Sequence, residues 1–319
     1  MFCSTIIPTI GRSTLSRAVQ SVLDQTFTAA DFEIIVVNDS GQSLPEAAWQ
    51  KSEKVQVINT NRREKSIARN TGAAIAQGEY LYFLDDDDWL LPEAFNHFWT
   101  LALAHANDEV WLYGGARLLG IESKKEVTIH LGLNGNCFVQ AITGEWIPLQ
   151  ASLIKTELFF SVGGFNNLLT IGEDKDLSQR CALRGNFAYT PAIVTVITRR
   201  ENDPERYSPG LQPGRREREK VLDEAGAFSR MRASANSGYW HGRLIRIYLI
   251  STVWNLQHRR ILTAISRIMF GIISLVLAGK YLFAPTMWQA LATSHTSRIL
   301  YTEQPADANQ ASTILPEGF

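Results

Sequence analysis

Four consecutive aspartates, Asp85 to Asp88, are the side chains of this sequence that most clearly point to chemistry. They follow the apolar run 80–84, which predicts a buried strand, so they lie at its carboxyl end, where open α/β sheets bind ligands. Carboxylates this close repel one another, and a divalent cation that prefers oxygen ligands, Mg²⁺ or Mn²⁺, relieves the repulsion. Such an ion can bind a diphosphate and stabilise it as a leaving group. The alternative is an acidic loop that favours the positive end of the helix predicted from Pro92.

A second acidic group opens the helix predicted over 173–183. It comprises Glu173, Asp174 and Asp176. Acidic side chains stabilise the first turn of any helix, so a purely structural role is open. A carboxylate is also able to remove a proton from a hydroxyl group, which makes this group a candidate general base. The sequence contains no P-loop and no Gly-x-Ser-x-Gly motif.

The elements that could position these residues alternate along the first two thirds of the chain. Apolar runs at 3–7, 33–37, 55–58 and 80–84 predict strands, and helical patterns at 14–25, 66–76 and 92–106 predict helices. We expect Ser13 to cap the first helix and Gly78 to close the second. Further strands are predicted at 110–119, 126–131 and 192–197. The βαβα order predicts an α/β fold with an open, mostly parallel sheet and helices on both faces.

The composition excludes several classes of protein. Hydrophobic residues make up 45% of the 319 residues, which excludes disorder as the main state. The net charge of −1 argues against a surface built to grip nucleic acid, so no nucleic-acid partner is expected. Cys3, Cys137 and Cys181 form neither a disulfide framework nor a zinc spacing. Residues 1–10 are too short, and too interrupted by Pro8, for a signal-peptide core, so we expect a cytoplasmic protein.

Six sequence motifs occur in the order in which one enzyme family has them. They are Ile-Ile-Pro-Thr at 6–9, Glu-Ile-Ile-Val-Val-Asn-Asp-Ser-Gly at 33–41, Ser-Ile-Ala-Arg-Asn-Thr-Gly at 66–72, Gly-Glu-Tyr-Leu-Tyr-Phe-Leu-Asp-Asp-Asp-Asp-Trp at 78–89, Val-Gly-Gly-Phe-Asn at 162–166 and Gly-Glu-Asp-Lys-Asp-Leu at 172–177. Over about residues 3–200 the chain resembles the family 2 glycosyltransferases. The resemblance implies the GT-A fold, a Rossmann-like sheet flanked by helices, here followed by a C-terminal helical extension.

The resemblance implies a nucleotide site at the ends of the first two strands. Pro8, Thr9 and Arg12 would cradle the nucleotide of a nucleotide-sugar donor, although a simple strand-to-helix turn uses the same residue types. Asp39 matches the aspartate that reads the base in the family, and a carboxylate can accept a base N–H. Asn38 stands where the family has its first aspartate, and Ser-Gly replaces Gly-Ser, so an ordinary turn is the alternative for this segment.

The resemblance also implies phosphate and metal ligands. Lys65 and Arg69 would approach the phosphates, the alternative being a solvated helix face. Asp87 is the expected ligand of Mg²⁺ or Mn²⁺, with Asp85 as a second ligand. Asp85 and Asp86 would contact the ribose or the sugar of the donor.

The reaction implied by the resemblance is an inverting transfer. Asp174 is the expected base that deprotonates the acceptor hydroxyl, with Glu173 as the alternative or as a positioning group. We predict a metal-dependent hexosyl transfer from a nucleotide-diphosphate sugar, UDP-sugar first, to a hydroxyl of a glycan or lipid-linked acceptor. One alternative is a sugar nucleotidylyltransferase, although the first loop holds only one glycine, Gly11. The other is an inactive, membrane-attached scaffold of the same fold.

The carboxyl-terminal third differs in composition from the rest. We predict a transferase domain over 1–200, a basic linker or mobile loop and helix over 201–240, an amphipathic helical extension over 241–293 and a flexible tail over 294–319. Arg267 and Lys280 bracket 12 uncharged residues, about 18 Å of helix against a hydrocarbon core of about 30 Å. Basic, apolar helices of this kind suit the surface of an anionic membrane, here its cytoplasmic face. Packing against the domain, or in a dimer interface, is the alternative.

Overall fold

The computed structural model describes residues 1–106, 108, 110–142, 147–169, 172–199, 237–257 and 259–292. The chain divides into two units. The first comprises the described residues up to 137 and from 147 to 199, and the second comprises 138–142 and the helices after 236. The linker segment predicted from 201, as far as residue 236, and the tail predicted over 294–319 lie outside the described residues.

The elements follow one another along the chain as strands alternating with helices. They are β1 (Cys3–Thr9), α1 (Leu15–Leu23), β2 (Phe32–Asn38), β3 (Val55–Asn59), α2 (Lys65–Ile75), β4 (Tyr80–Phe83), β5 (Trp89–Leu90), α3 (Ala94–Ala104), β6 (Val110–Gly120), β7 (Glu126–Ile129), α4 (Phe138–Ile142), β8 (Ser152–Lys155), α5 (Thr156–Ser161), α6 (Glu173–Arg184), β9 (Asn186–Arg199), α7 (Ser237–Gln257), α8 (Ile261–Ala278) and α9 (Pro285–Ala292). Short 3-10 turns occupy Ala48–Lys51, Leu149–Ala151 and Gly279–Phe283.

The strands of the described residues form one sheet in the order β3-β2-β1-β4-β8-β6-β9-β5, with β7 paired to β6. The pairs among β3, β2, β1 and β4 are parallel, as the βαβα pattern predicts. Beyond β4 the sheet is mixed, because β8 runs antiparallel to both β4 and β6 while β6 and β9 are parallel. Strand β8 and helix α5 were not predicted, since four residues of strand followed at once by six of helix give too short a pattern.

Burial explains why the first strands form. The β-branched run of β2 is buried from Ile34 to Asn38, as a strand covered on both faces requires. Helix α2 lies so close to the sheet that a Cβ at Gly72 would collide with Ile6 of β1 and approach Val37 of β2. The glycine therefore fixes how near α2, and the residues it carries, come to the ends of β1 and β2.

Two predicted helix ends differ from the observed ones. Thr14, not Ser13, is the N-cap of α1, and no side chain caps that helix. Gly78 does not close α2, which ends at Ile75 with Ala76 as its C-cap. Gly78 instead passes against the backbone of β1, where a Cβ would meet Ser4. The position thus requires glycine because of a close strand approach and not because of a helix end.

The second unit contains a helical hairpin. Helices α7 and α8 pack together, joined by a short turn in which Arg259 has φ of 56°. The rings of Tyr248 on α7 and Phe270 on α8 stack at 5.7 Å between centroids. Helix α9 packs on α7, where Gly242 leaves no room for a side chain beside Met287. Among the described residues one helical stretch, Ile261–Phe283, is long and apolar enough to cross a membrane by length and composition.

Candidate active site

The aspartate run lies where the parallel neighbours β1 and β4 reach the same edge of the sheet. Pro8 is buried within β1, and Thr9, the last residue of that strand, donates its hydroxyl to Asp86 Oδ2 at 2.5 Å. Arg12 Nη1 lies 2.8 Å from Asp86 Oδ1 and 3.1 Å from Asp87 Oδ2. The structure therefore brings the predicted nucleotide turn directly onto the predicted metal ligands.

Arg69 joins the two acidic groups that the sequence places far apart. Its side chain is 3% exposed, and Nη2 lies 2.5 Å from Asp85 Oδ1 while Nη1 lies 2.9 Å from Glu173 Oε1. Lys65, one helical turn earlier on α2, places Nζ 2.7 Å from the same Glu173 oxygen. Gln150 donates to the second oxygen of Asp85 at 2.5 Å. The solvated-face alternative for Arg69 is therefore wrong, because this guanidinium is buried between carboxylates.

Asp39 lies just beyond the end of β2 and is buried. Its Oδ1 accepts hydrogen bonds from the Thr60 hydroxyl and the Arg62 N–H, and its Oδ2 accepts one from the Glu64 N–H, all at 2.7 Å. Burial opposes ionisation, but these hydrogen bonds outweigh it and hold the pKa of Asp39 below its usual value. The carboxylate therefore shapes the loop that leads into α2, whose N-cap is Glu64.

The four aspartates differ in charge environment. Burial opposes ionisation of Asp85, but the charges of Arg69 and Lys65 outweigh it, so the pKa of Asp85 is lowered. Burial and the charge of Asp85 raise the pKa of Asp87. Burial raises the pKa of Asp86 despite its bonds to Thr9 and Arg12.

Asp88 has the most strongly perturbed carboxyl group of the four. Burial, followed by the charges of Asp85 and Asp87, raises its pKa well above the usual value. It accepts hydrogen bonds from the N–H and hydroxyl of Thr198 at 2.7 and 3.3 Å, which fastens the aspartate run to β9. This agrees with an ordering role for Asp88 in the turn.

The residues present fit a divalent cation. Asp85, Asp87 and Asp88 each offer a carboxylate oxygen within 4.8 Å of the others. All three ligand groups are hard oxygen donors of the kind that Mg²⁺ and Mn²⁺ prefer. The raised pKa of Asp87 and of Asp88 reflects like charges in a buried place, and a cation would relieve that repulsion.

The amino terminus of α6 carries the second acidic group. Glu173 is buried and is held by Lys65 and Arg69, whereas Asp174 is partly exposed and accepts a hydrogen bond from the Lys175 N–H at 2.7 Å. Asp176 is buried and pairs with Arg180 one turn later, 2.5 Å from Nη2. Asp176 thus braces the helix, and the two preceding carboxylates have different surroundings.

Three residues of the site give no signal in the sequence. Gln150 comes from the 3-10 turn before β8, and Thr198 comes from the end of β9. Arg17 on α1 donates to the backbone oxygen of Asp87 at 2.7 Å and lies over the Trp89 ring at 4.0 Å. None belongs to a motif, and each reaches the aspartates only through the pairing of distant elements.

Comparison with known proteins identifies the amino-terminal domain. Residues 4–118 match the family described as glycosyl transferase family 2. Poly(ribitol-phosphate) beta-N-acetylglucosaminyltransferase TarP of Staphylococcus aureus is 32% identical over 165 residues, which cover 50% of this chain and 46% of the relative. An uncharacterized glycosyltransferase of Haemophilus influenzae is 30% identical over 183 residues, or 54% of this chain and 59% of the relative. The chain thus matches about half the length of these relatives.

Solved structures agree on the fold. The crystal structure of residues 1–349 of S. aureus TarS in complex with UDP-GlcNAc superimposes with a TM-score of 0.53 at 16% identity, covering 88% of this chain and 92% of that chain. The complex of the same protein with UDP gives a TM-score of 0.52 at 17% identity. The predicted GT-A architecture is confirmed. Residues 4–118 thus match glycosyl transferase family 2, and the motif order agrees with that match.

Proposed function

We propose that the chain is an inverting glycosyltransferase that moves a sugar from a UDP-sugar to a hydroxyl group of a glycan or lipid-linked acceptor. The observation that carries the proposal is the link through Arg69 between Asp85, in the aspartate run, and Glu173, beside the predicted base Asp174. A transfer reaction needs both acidic groups close together. One group holds the diphosphate that leaves, and the other activates the hydroxyl group that attacks. The UDP and UDP-GlcNAc complexes of TarS support UDP as the donor nucleotide.

The donor nucleotide would lie along the ends of β1 and β2. Arg12 stands at the edge of the aspartate run with its side chain about half exposed, which leaves it able to meet a phosphate. Both oxygens of Asp39 accept protein hydrogen bonds, but a carboxylate oxygen can accept two, so Oδ2 retains capacity for a base N–H. Thr9 and Asp86, which share a hydrogen bond, would support the turn that contacts the nucleotide.

A divalent cation, Mg²⁺ or Mn²⁺, would be held by Asp87 and Asp85, with Asp88 as a third oxygen donor. The chemistry that such an ion supplies is neutralisation of the nucleoside diphosphate as it departs. Arg12 adds a fixed positive charge on the same side, since Asp86 and Asp87 raise its pKa although burial opposes this. The guanidinium therefore stays charged at neutral pH.

Asp174 is the better candidate for the base. Glu173 Oε1 already accepts from Lys65 and Arg69, so taking a proton there would disrupt two ion pairs. Asp174 is the more exposed of the two and so can meet an incoming hydroxyl group. It would remove the proton as the acceptor oxygen attacks the anomeric carbon. Glu173 would position Arg69 instead.

Release of UDP from UDP-GlcNAc, with and without Mn²⁺, tests the proposal. Asp174→Asn should lose at least about 100-fold in kcat while UDP still raises the melting temperature. Asp87→Asn should lose the Mn²⁺-dependent part of that rise. The exposed Asp31→Asn is the matched control and should behave as wild type.

The two alternatives predict different results. Pyrophosphate released from a nucleoside triphosphate and a sugar phosphate would indicate a nucleotidylyltransferase. Nucleotide binding without turnover on any sugar donor would favour an inactive scaffold. Normal turnover in Asp174→Asn would contradict the assignment of the base.

A further inference from the structure

Helix α8 of the second unit has small residues at its buried positions and large apolar residues at most of its exposed positions. On α8 the buried positions are Ala264, Ser274 and Ala278. The large side chains point away from the unit, with Leu262 85%, Val276 72% and Leu277 69% exposed. Successive residues of a helix turn by about 100°, so the exposed residues cover more than half of its circumference. No charged residue falls within that arc.

This distribution of side chains on α8 is the opposite of that found on a helix at a water-exposed protein surface. A helix at the surface of a globular protein turns its large apolar residues inward and its polar residues outward. Helices that associate within lipid put small residues between them, because lipid tails surround large apolar side chains at no cost. Gly271 lies at the same interface, where a Cβ would make an ordinary contact of 3.5 Å with Tyr248 of α7. The packing of α7 against α8 is therefore typical of helices that contact lipid.

The apolar surface continues from α8 onto α7. Leu249, Ile250, Val253 and Leu256 of α7 are exposed close to the turn of the hairpin. The stacking of Tyr248 on Phe270 shows that the two helices run side by side away from that turn. Soluble proteins rarely expose so many large apolar side chains on neighbouring helices.

The charges of the helical region indicate what binds the exposed apolar face. Residues 237–292 contain six Lys and Arg residues and no Asp or Glu. Arg259 and Lys280 are exposed at the two ends of the apolar stretch. Basic residues beside an apolar helix attract the headgroups of anionic lipids, while their alkyl stems reach along the apolar surface.

The arginines of the hairpin favour the surface of the bilayer over a span. Because α7 lies alongside α8, a spanning α8 would take α7 into the hydrocarbon core. Arg246 stands 11 residues before the end of α7 at Gln257, about 16 Å along the axis and so near the middle of a core of about 30 Å. Its Nη1 donates to the backbone oxygen of Leu291 at 2.7 Å, a neutral acceptor. An arginine that donates to backbone oxygens is costly at that depth of a bilayer.

We propose that the exposed apolar face of α7 and α8 lies in the headgroup region of an anionic phospholipid bilayer. This attachment is independent of the transferase chemistry. The apolar face inserts into one leaflet, and Arg259 and Lys280 meet the lipid phosphates.

Flotation of the purified full chain with lipid vesicles tests this inference. Vesicles of phosphatidylcholine alone are compared with vesicles that also contain phosphatidylglycerol. The first variant is the triple substitution Leu262→Ser, Val276→Ser and Leu277→Ser. Its matched control replaces three exposed apolar residues of the first unit, as Leu103→Ser, Phe160→Ser and Leu168→Ser. The second variant is Arg259→Gln with Lys280→Gln.

The expected results are specific to each variant. Wild type and the control should float with the anionic vesicles, and the apolar-face triple variant should bind them at least about tenfold more weakly. The Arg259 and Lys280 variant should bind more weakly at low salt and lose part of the salt dependence.

Several results would overturn the inference. One is a wild-type chain that does not float with anionic vesicles. Another is a triple variant that floats as wild type does. A third is a dimer that the triple variant dissociates although neither protein binds lipid. Resistance of bound wild type to alkaline carbonate would replace the surface attachment with a span.

Discussion

Replacing Arg69 with methionine should destabilise the first unit by about 3 kcal/mol. The guanidinium pairs with Asp85 and Glu173, and its loss removes the ion-pair partner of Asp85 and one of the two partners of Glu173. Breaking a buried pair by removing one partner costs about 3–5 kcal/mol. The lower end applies because Asp85 is partly exposed and Glu173 keeps Lys65. Arg69→Met therefore removes a large share of the stability of an ordinary domain.

Native-state hydrogen exchange of the β4 amides measures this loss within the first unit, so unfolding of the second unit does not enter the result. A loss of about 3 kcal/mol lowers protection about 150-fold. Lys65→Met is the matched control, because its side chain is 48% exposed and pairs with Glu173 alone. An exposed pair contributes about 1 kcal/mol or less, so the control should lose less than tenfold.

The double variant Arg69→Met, Glu173→Gln sharpens the test. In Arg69→Met the buried Glu173 carboxylate keeps only the exposed Lys65 as a partner, so neutralising it should make the double variant more stable than Arg69→Met alone. The reasoning is refuted if Arg69→Met and Lys65→Met lose equal protection. It is also refuted if Glu173→Gln adds its own full cost on top of the Arg69→Met loss.

Three further predictions follow from individual contacts. Gly72→Ala should lower the free energy of opening, measured by hydrogen exchange of the β1 amides, by about 1–3 kcal/mol, because the new Cβ would collide with Ile6. The native pKa of Asp39 is lowered, so wild type should lose stability as the pH falls from about 5 through that pKa. In Asp39→Asn the melting temperature should fall less steeply as the pH is lowered below about 5. A fall as steep as that of wild type would contradict this. Gln150→Ala removes a donor from Asp85 and should weaken Mn²⁺-dependent UDP binding by about three- to tenfold in calorimetry.

Local patterns were sufficient for the parallel half of the sheet. The strands β1, β2 and β4 are apolar runs with turn residues at their carboxyl ends, so the positions of Thr9, Asp39 and Asp85 followed from them. Parallel strands end at a common edge, and this alone gathered the candidate nucleotide residues. The register and the exact helix ends needed the structure, as Ser13 and Gly78 show.

Distant pairings could not be predicted in the same way. Arg69 and Glu173 are 104 residues apart, and nothing in either segment indicates the other. An arginine on a helix is usually solvated, so its burial depends on two carboxylates supplied by other elements. The same holds for Gln150, which reaches Asp85 because the unpredicted strand β8 pairs with β4. These contacts depend on the turn before β8 or on α6, where the local sequence pattern is weak.

The near-neutral net charge of the chain conceals two regions of opposite net charge. The second unit's helical stretch 237–292 has six of the 31 Lys and Arg residues and none of the 32 Asp and Glu residues, so the remainder has 25 against 32. An acidic remainder agrees with a first unit whose candidate site gathers several carboxylates. A cationic, apolar hairpin suits an anionic bilayer, because residues 237–292 contain no Asp or Glu that the lipid headgroups would repel. Added together, these compositions give the averages of an ordinary globular protein, so the proposed attachment rests on the arrangement of side chains on α8 and not on whole-chain composition.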